Sequence, residues 1–199
     1  MKYENIKQCY LREDMYNHIP KDGVGVELGV ARGLNAINLF HITRPKKLHL
    51  VDRWASEQPA IGSLGGPVNH PVNKKHRESF DNYGEHVSSL FSKQVEEGSV
   101  ELHRTDSRLW LTKQPKNSLD WVYLDTNHDY NSTRNEIQDC LAPLKHGGLL
   151  CGHDFHINRF WGLGVVAPLI EAIQEGSLVL EALGSDDWPS YICRVIKDQ

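Results

Sequence analysis

The sequence predicts an α/β fold, a doubly wound and mostly parallel seven-stranded sheet that ends in an antiparallel hairpin. Three observations carry this. Short apolar runs alternate with helical patterns along most of the 199 residues. The first of these runs passes into a glycine-bounded turn, Gly29 to Gly33. An acidic residue then stands at the end of one run after another: Glu27, Asp52, Asp106, Asp125 and Asp154. Ligands of such sheets sit at the C-terminal ends of the strands. Carboxylates converging on that edge predict a site there, not a solvated surface.

Taken in order, residues 1–20 are polar with scattered apolar positions such as Ile6, Leu11, Met15 and Ile19. That spacing predicts one or two short helices, an arm that covers the site or packs on the domain. Val24 to Leu28 is a buried strand, followed by a helix over Leu34 to His41. Glycine at 29 and 33 lets the backbone approach a ligand closely, and the helix start behind it offers free N–H groups. Glu27 is costly at the end of a buried strand unless it has partners. It is expected to face the crevice and hold a polar or cationic ligand. The turn is not a dinucleotide fingerprint, because Leu28 stands where the third glycine of G-x-G-x-x-G belongs.

Lys47 to Val51 is the second strand, closing at Asp52. A carboxylate about twenty residues beyond the glycine turn is placed to accept the ribose hydroxyls of a nucleoside. The alternative is that it caps the following segment. Arg53 and Trp54 follow, and an aromatic here would stack on adenine or wall the pocket. Residues 55–73 carry prolines and glycines without a period, which predicts a lid on the substrate side. Lys74 to Glu97 reads as helix, broken near Gly84, with an inward stripe of Phe80, Tyr83, Val87, Leu90, Phe91 and Val95. Val100 to His103 is the third strand, and Thr105–Asp106–Ser107 forms the N-cap of a helix from Arg108. The fourth strand is Leu119 to Leu124. A helix from about Asn131 to Leu141 follows, then a turn at Lys145 to Gly148 and a fifth strand at Leu149 to Gly152. A helix over Leu163 to Gln174 precedes the closing hairpin, Ser177 to Ala182 and Tyr191 to Val195.

Composition narrows the class. Apolar residues at 39% and charged residues at 24% fit a soluble globular chain, and this length fits one domain, 1–199. A net charge of −4 argues against nucleic acid as the partner. No apolar run is long enough to span a membrane. The cysteines, Cys9, Cys140, Cys151 and Cys193, form no C-x-x-C pair, and a reducing, cytoplasmic compartment is expected. A homo-oligomer stays open.

The pattern E-x-G-x-x-x-G at Glu27 to Gly33 resembles the first motif of class I S-adenosylmethionine (SAM) methyltransferases, whose Rossmann-like sheet also ends in a hairpin. The segment from Asp120 to Phe155 is sharper. Its strand, Asp125-x-x-His128-x-Tyr130, helix, Leu144-Lys145-x-Gly147-Gly148, strand and His153-Asp154-Phe155 resemble SAM-dependent O-methyltransferases that tailor sugars and other hydroxylated small molecules. Asn127 departs from that pattern, standing where Asp is frequent. The resemblance implies a cofactor pocket of Glu27, Gly29, Gly33, Asp52, Arg53, Trp54, Asp106, Ser107 and Asp125, with Asp106 reading the adenine amino group.

The resemblance also implies methyl transfer to a hydroxyl of a small polar acceptor, foremost a sugar. An alcohol is a poor acid, and a divalent cation, magnesium or manganese, would lower its pKa. Carboxylates at two adjacent strand ends can share one ion. Asp125, Asp154 and His153 are the expected ligands, although imidazole suits manganese or iron better than magnesium. His128 is the expected general base, with His153 as the alternative and Asp125 beside them. Two rivals stand: a nucleotide-dependent oxidoreductase in the same crevice, and a SAM-binding module without catalysis.

Overall fold

The computed structural model describes residues 6–55, 82–157, 162–185 and 187–197. Its strands are β1 (Lys7–Cys9), β2 (Val24–Leu28), β3 (Lys47–Asp52), β4 (Val100–Arg104), β5 (Leu119–Leu124), β6 (Leu144–Gly152), β7 (Leu178–Gly184) and β8 (Tyr191–Val195). The helices are α1 (Arg12–Tyr16), α2 (Leu34–Thr43), α3 (Ser92–Glu96), α4 (Ser107–Leu111), α5 (Tyr130–Leu141) and α6 (Gly162–Gln174), with a further helical run at 82–90 before α3.

One sheet holds all eight strands in the order β1-β7-β8-β6-β5-β2-β3-β4. β8 runs antiparallel to both β6 and β7, and the other pairings are parallel. Parallel neighbours need crossovers, and the helices fill both faces. On one face Leu48, Leu50, Trp121 and Cys151 pack with Ala36 and Leu39 of α2 and with Met15 and Tyr16 of α1. On the other, Val26, Leu28, Val122 and Leu150 pack with Ile137 and Cys140 of α5 and with Val165 and Leu169 of α6. Strand order reverses between β2 and β5, which places the ligand crevice between them.

The expected sheet is present, with one strand added. The N-terminal arm is not purely helical: β1 pairs with β7 at the sheet margin before the chain enters α1. The turn expected at Lys145 to Gly148 lies inside β6, because Leu144 already pairs with Leu119 and the irregularity is absorbed in the ladder. The break expected at Gly84 falls at Phe91 instead. Gly84 lies inside the helical run, where a Cβ would press on the Trp54 ring at 3.2 Å, so glycine serves packing there and not a break. Of the expected stripe, Val87 and Phe91 are buried, whereas Leu90 and Val95 are exposed. The expected lid, from residue 56 onward, lies outside the described residues, as does Phe80. Cys9, Cys140, Cys151 and Cys193 are all buried and free. No helix among the described residues is long and apolar enough to cross a membrane.

Candidate active site at the C-terminal edge of the sheet

The glycine turn is held by Asp52. Its Oδ2 accepts from the N–H groups of Val30 and Ala31, both at 2.9 Å, and its Oδ1 accepts from Trp54 N–H at 2.8 Å. Gly29 has φ 87°, and a Cβ on it would lie 1.9 Å from the carbonyl oxygen of Asp125. Only glycine lets the ends of β2 and β5 approach this closely. Gly33, at φ 79°, begins α2. Trp54 is buried beneath this turn, with its indole N–H donating to the Ala31 carbonyl at 2.9 Å. It therefore walls the turn from inside, which leaves its face no room to stack on adenine. Arg53 is exposed.

Glu27, near the end of β2, is 1% exposed. Its Oε1 accepts from Asn35 Nδ2 at 2.7 Å, while Oε2 is buried with no hydrogen-bond partner among the described residues. Burial pushes its carboxyl up to about 8, against the pull of Asn35. An orphaned acceptor of this kind is costly unless a ligand donor completes it.

Asp106 caps α4, with Oδ1 accepting from Arg108 N–H at 3.1 Å and Leu109 N–H at 3.2 Å. Ser107 donates to Glu136 Oε1 from α5, and Thr126 donates to Glu136 Oε2 at 2.5 Å. Glu136 thus ties the end of β4 to the end of β5. Burial raises its carboxyl to about 7 despite both hydroxyl donors. Sequence reading missed this residue, because its role depends on α5 laying that position between two strand ends.

The second half of the site gathers at β5 and β6. Ligand atoms of Asp125, His128 and Asp154 all lie within 4.8 Å of one another. His128 Nε2 is 2.8 Å from Asp154 Oδ2 and 3.6 Å from Asp125 Oδ1. Neither approach has hydrogen-bond alignment, so this buried nitrogen has no hydrogen-bond partner among the described residues. His153 stands outside the trio, its Nδ1 3.4 Å from Asp154 Oδ2. Asp154 has φ 60°, a left-handed backbone that Asp adopts more readily than most residues and that often marks a functional site.

Charge is concentrated here. Burial disfavours the imidazolium of His128, but the carboxylates of Asp125 and Asp154 outweigh it and hold its pKa at about 10. Burial likewise opposes the charge on Asp154, yet His128 and His153 keep its carboxyl well below the usual range.

Arg12 from the arm completes the wall. Its Nη2 lies 3.0 Å from Asp125 Oδ2 and its Nε donates to Tyr123 Oη at 2.9 Å. Asp125 therefore turns one oxygen toward the arm and the other toward His128. No local motif signals Arg12, since its place comes from β1 docking on β7.

A family model described as a methyltransferase domain matches residues 26–155. No curated protein sequence matches the chain. Among solved structures, a SAM-dependent O-methyltransferase from Thermotoga maritima superposes with a TM-score of 0.62 at 13% identity, covering 97% of this chain and 68% of that one. The N-methyltransferase NodS from Bradyrhizobium japonicum gives 0.57 at 15% identity, covering 94% and 95%. A Streptococcus mutans protein in complex with SAH gives 0.55 at 12% identity, covering 92% and 95%. Identities this low speak to the fold, and the family model speaks to the class. The chain belongs to the methyltransferase-domain family, as a class I enzyme dependent on S-adenosylmethionine.

Proposed function

We propose that the enzyme methylates a hydroxyl oxygen of a small polar acceptor, foremost a sugar, with a divalent cation held by Asp125, His128 and Asp154. The observation that carries this is the trio of ligand atoms within 4.8 Å, which includes the buried Nε2 of His128, 2.8 Å from Asp154 Oδ2. Two carboxylates and an imidazole fit manganese or iron better than magnesium. A cation bound there supplies Lewis acidity, lowering the pKa of a hydroxyl and fixing its direction.

The chain's own residues do the rest. Glu27 Oε2 offers a buried acceptor to the cationic part of the cofactor, beside the close approach of β2 and β5 at Gly29. Asp52 and Asp106 retain acceptor capacity for ribose and adenine while they hold the turn and α4. Asp125 and Asp154 position the acceptor's oxygen for in-line displacement at the methyl group. The geometry favours exchanging the two histidine roles expected from sequence. On this reading His128 joins the carboxylates, and His153, adjacent but outside the trio, takes the acceptor's proton. A net charge of −4 supports a small acceptor over a nucleic acid.

Methyl transfer to a panel of hydroxylated acceptors, beginning with sugars, tests this. Turnover is expected to require manganese or magnesium after chelation. Asp154→Asn is expected to lower kcat by roughly a hundredfold or more, the scale of losing an electrostatic stabiliser. Undiminished turnover in chelated enzyme and in the Asp154→Asn variant would sink the metal role.

A further inference from the structure

A second group of ligating side chains lies on the face of the sheet, apart from the trio at β5 and β6. His49 on β3 is in register with Glu101 on β4, and Val51 with His103. Alternate residues of a strand share a face, so His49, Glu101 and His103 project to one side. Their ligand atoms also lie within 4.8 Å of one another. β2 separates β3 from β5, which puts this group at least two strand spacings, roughly 10 Å, from the Asp125–His128–Asp154 trio.

We propose that His49, Glu101 and His103 form a site for a borderline first-row divalent cation, of which Zn²⁺ is the type. His49 Nδ1 and His103 Nε2 share a hydrogen bond at 3.0 Å, which the two nitrogens exchange for a shared cation when one binds. Glu101 Oε2 is 3.7 Å from the first nitrogen and Oε1 is 3.9 Å from the second. The carboxylate thus faces both rings but is too far for a hydrogen bond to either. Such separations are near the ~3.3–3.5 Å edge of a tetrahedron with zinc bonds of about 2.0–2.1 Å. Two imidazoles and one carboxylate are a set that zinc takes with water in the fourth position, and one that magnesium and calcium avoid.

The surroundings suit the role. The indole of Trp110 on α4 lies against both rings, with centroids 5.2 Å and 5.3 Å away, and holds their orientation. Both imidazoles have side-chain exposures of 16% and 20%, so they are reachable from solvent without being loose. Lys47 is the competing cation. Its Nζ is 3.1 Å from Glu101 Oε2, but it also donates to the Gly98 carbonyl at 3.0 Å and so keeps an anchor when Glu101 turns toward the rings. Among the described residues β4 is the last strand of the sheet and has one neighbour. An ion shared by His49, Glu101 and His103 staples that strand to β3 and steadies the path to Asp106.

The test uses the full-length, untagged chain carrying Asp125→Asn and Asp154→Asn, which removes the catalytic trio as a competitor. After dialysis against a chelator it is titrated with Zn²⁺ in competition with a metallochromic indicator. One Zn²⁺ per chain is expected, undisturbed by millimolar Mg²⁺. Adding His49→Gln and His103→Gln is expected to weaken binding by at least about tenfold, the least that even a supporting group costs a metal site. Glu101→Gln, at a half-exposed position that can be changed without upsetting the core, is expected to weaken it as well, with the far-UV circular dichroism unchanged. Absence of stoichiometric Zn²⁺ from the Asp125/Asp154 variant would overturn the proposal. So would Zn²⁺ binding that survives Glu101→Gln at full affinity.

Discussion

Glu27 shows how much one side chain bears on this site. Its carboxyl binds a proton in the folded chain, with a pKa of about 8, that the unfolded chain has released above about 4.5. The folded state therefore holds more protons in that window, and stability falls as pH rises through it. The slope is up to about 1.4 kcal/mol per pH unit from this residue alone. Glu136 acts in the same sense up to about 7. Glu27→Gln is predicted to flatten the fall of the melting temperature between pH 5 and 8 while weakening affinity for S-adenosylhomocysteine. Parallel melting profiles for the two proteins across that range would contradict the assignment. Glu27, Asp125 and Asp154 were legible in sequence because each stands at a strand end. Arg12 and Glu136 were not, because each is brought in by an element whose docking no local pattern encodes. The motif showed Asp125/His128 and His153/Asp154 on adjacent strand ends, but not the approach of His128 to Asp154.

At the scale of elements, the site depends on how closely β2 and β5 approach. Gly29 stands at that contact, with a positive φ and the Asp125 carbonyl where a Cβ would lie. Gly29→Ala is predicted to cost roughly 2–4 kcal/mol, combining backbone strain with the forced separation of two loops. A denaturant midpoint within error of the parent protein would refute this. The strands and the long helices followed from periodicity, and most boundaries moved by one or two residues, as frayed ends do. Differences arose where tertiary contact overrode local chemistry. Lys145 to Gly148 reads as a turn, yet partners on β5 and β8 draw this part of the chain into β6. Gly84 reads as a breaker, yet Trp54 fills the space that a side chain would need. The short strand β1 carries no alternation long enough to announce it, and its pairing with β7 depends on residues far along the chain.

Across the whole molecule, the sheet order sets the chemistry. The reversal between β2 and β5 opens one crevice, and the chain places Glu27 and Asp52 on one side of it with Asp125, His128 and Asp154 on the other. Under the proposed function, cofactor and acceptor oxygen take neighbouring strand ends, the arrangement that methyl transfer requires. The central claim is that this crevice holds the cofactor with Glu27 as a buried partner. Isothermal titration of S-adenosylhomocysteine into the full-length protein, with Glu27→Ala run alongside, tests it most directly. The account predicts one site per chain with micromolar affinity and a loss of at least about tenfold in the variant, the worth of one charge-assisted hydrogen bond. No heat of binding at high protein concentration, or equal affinity in Glu27→Ala, would contradict it.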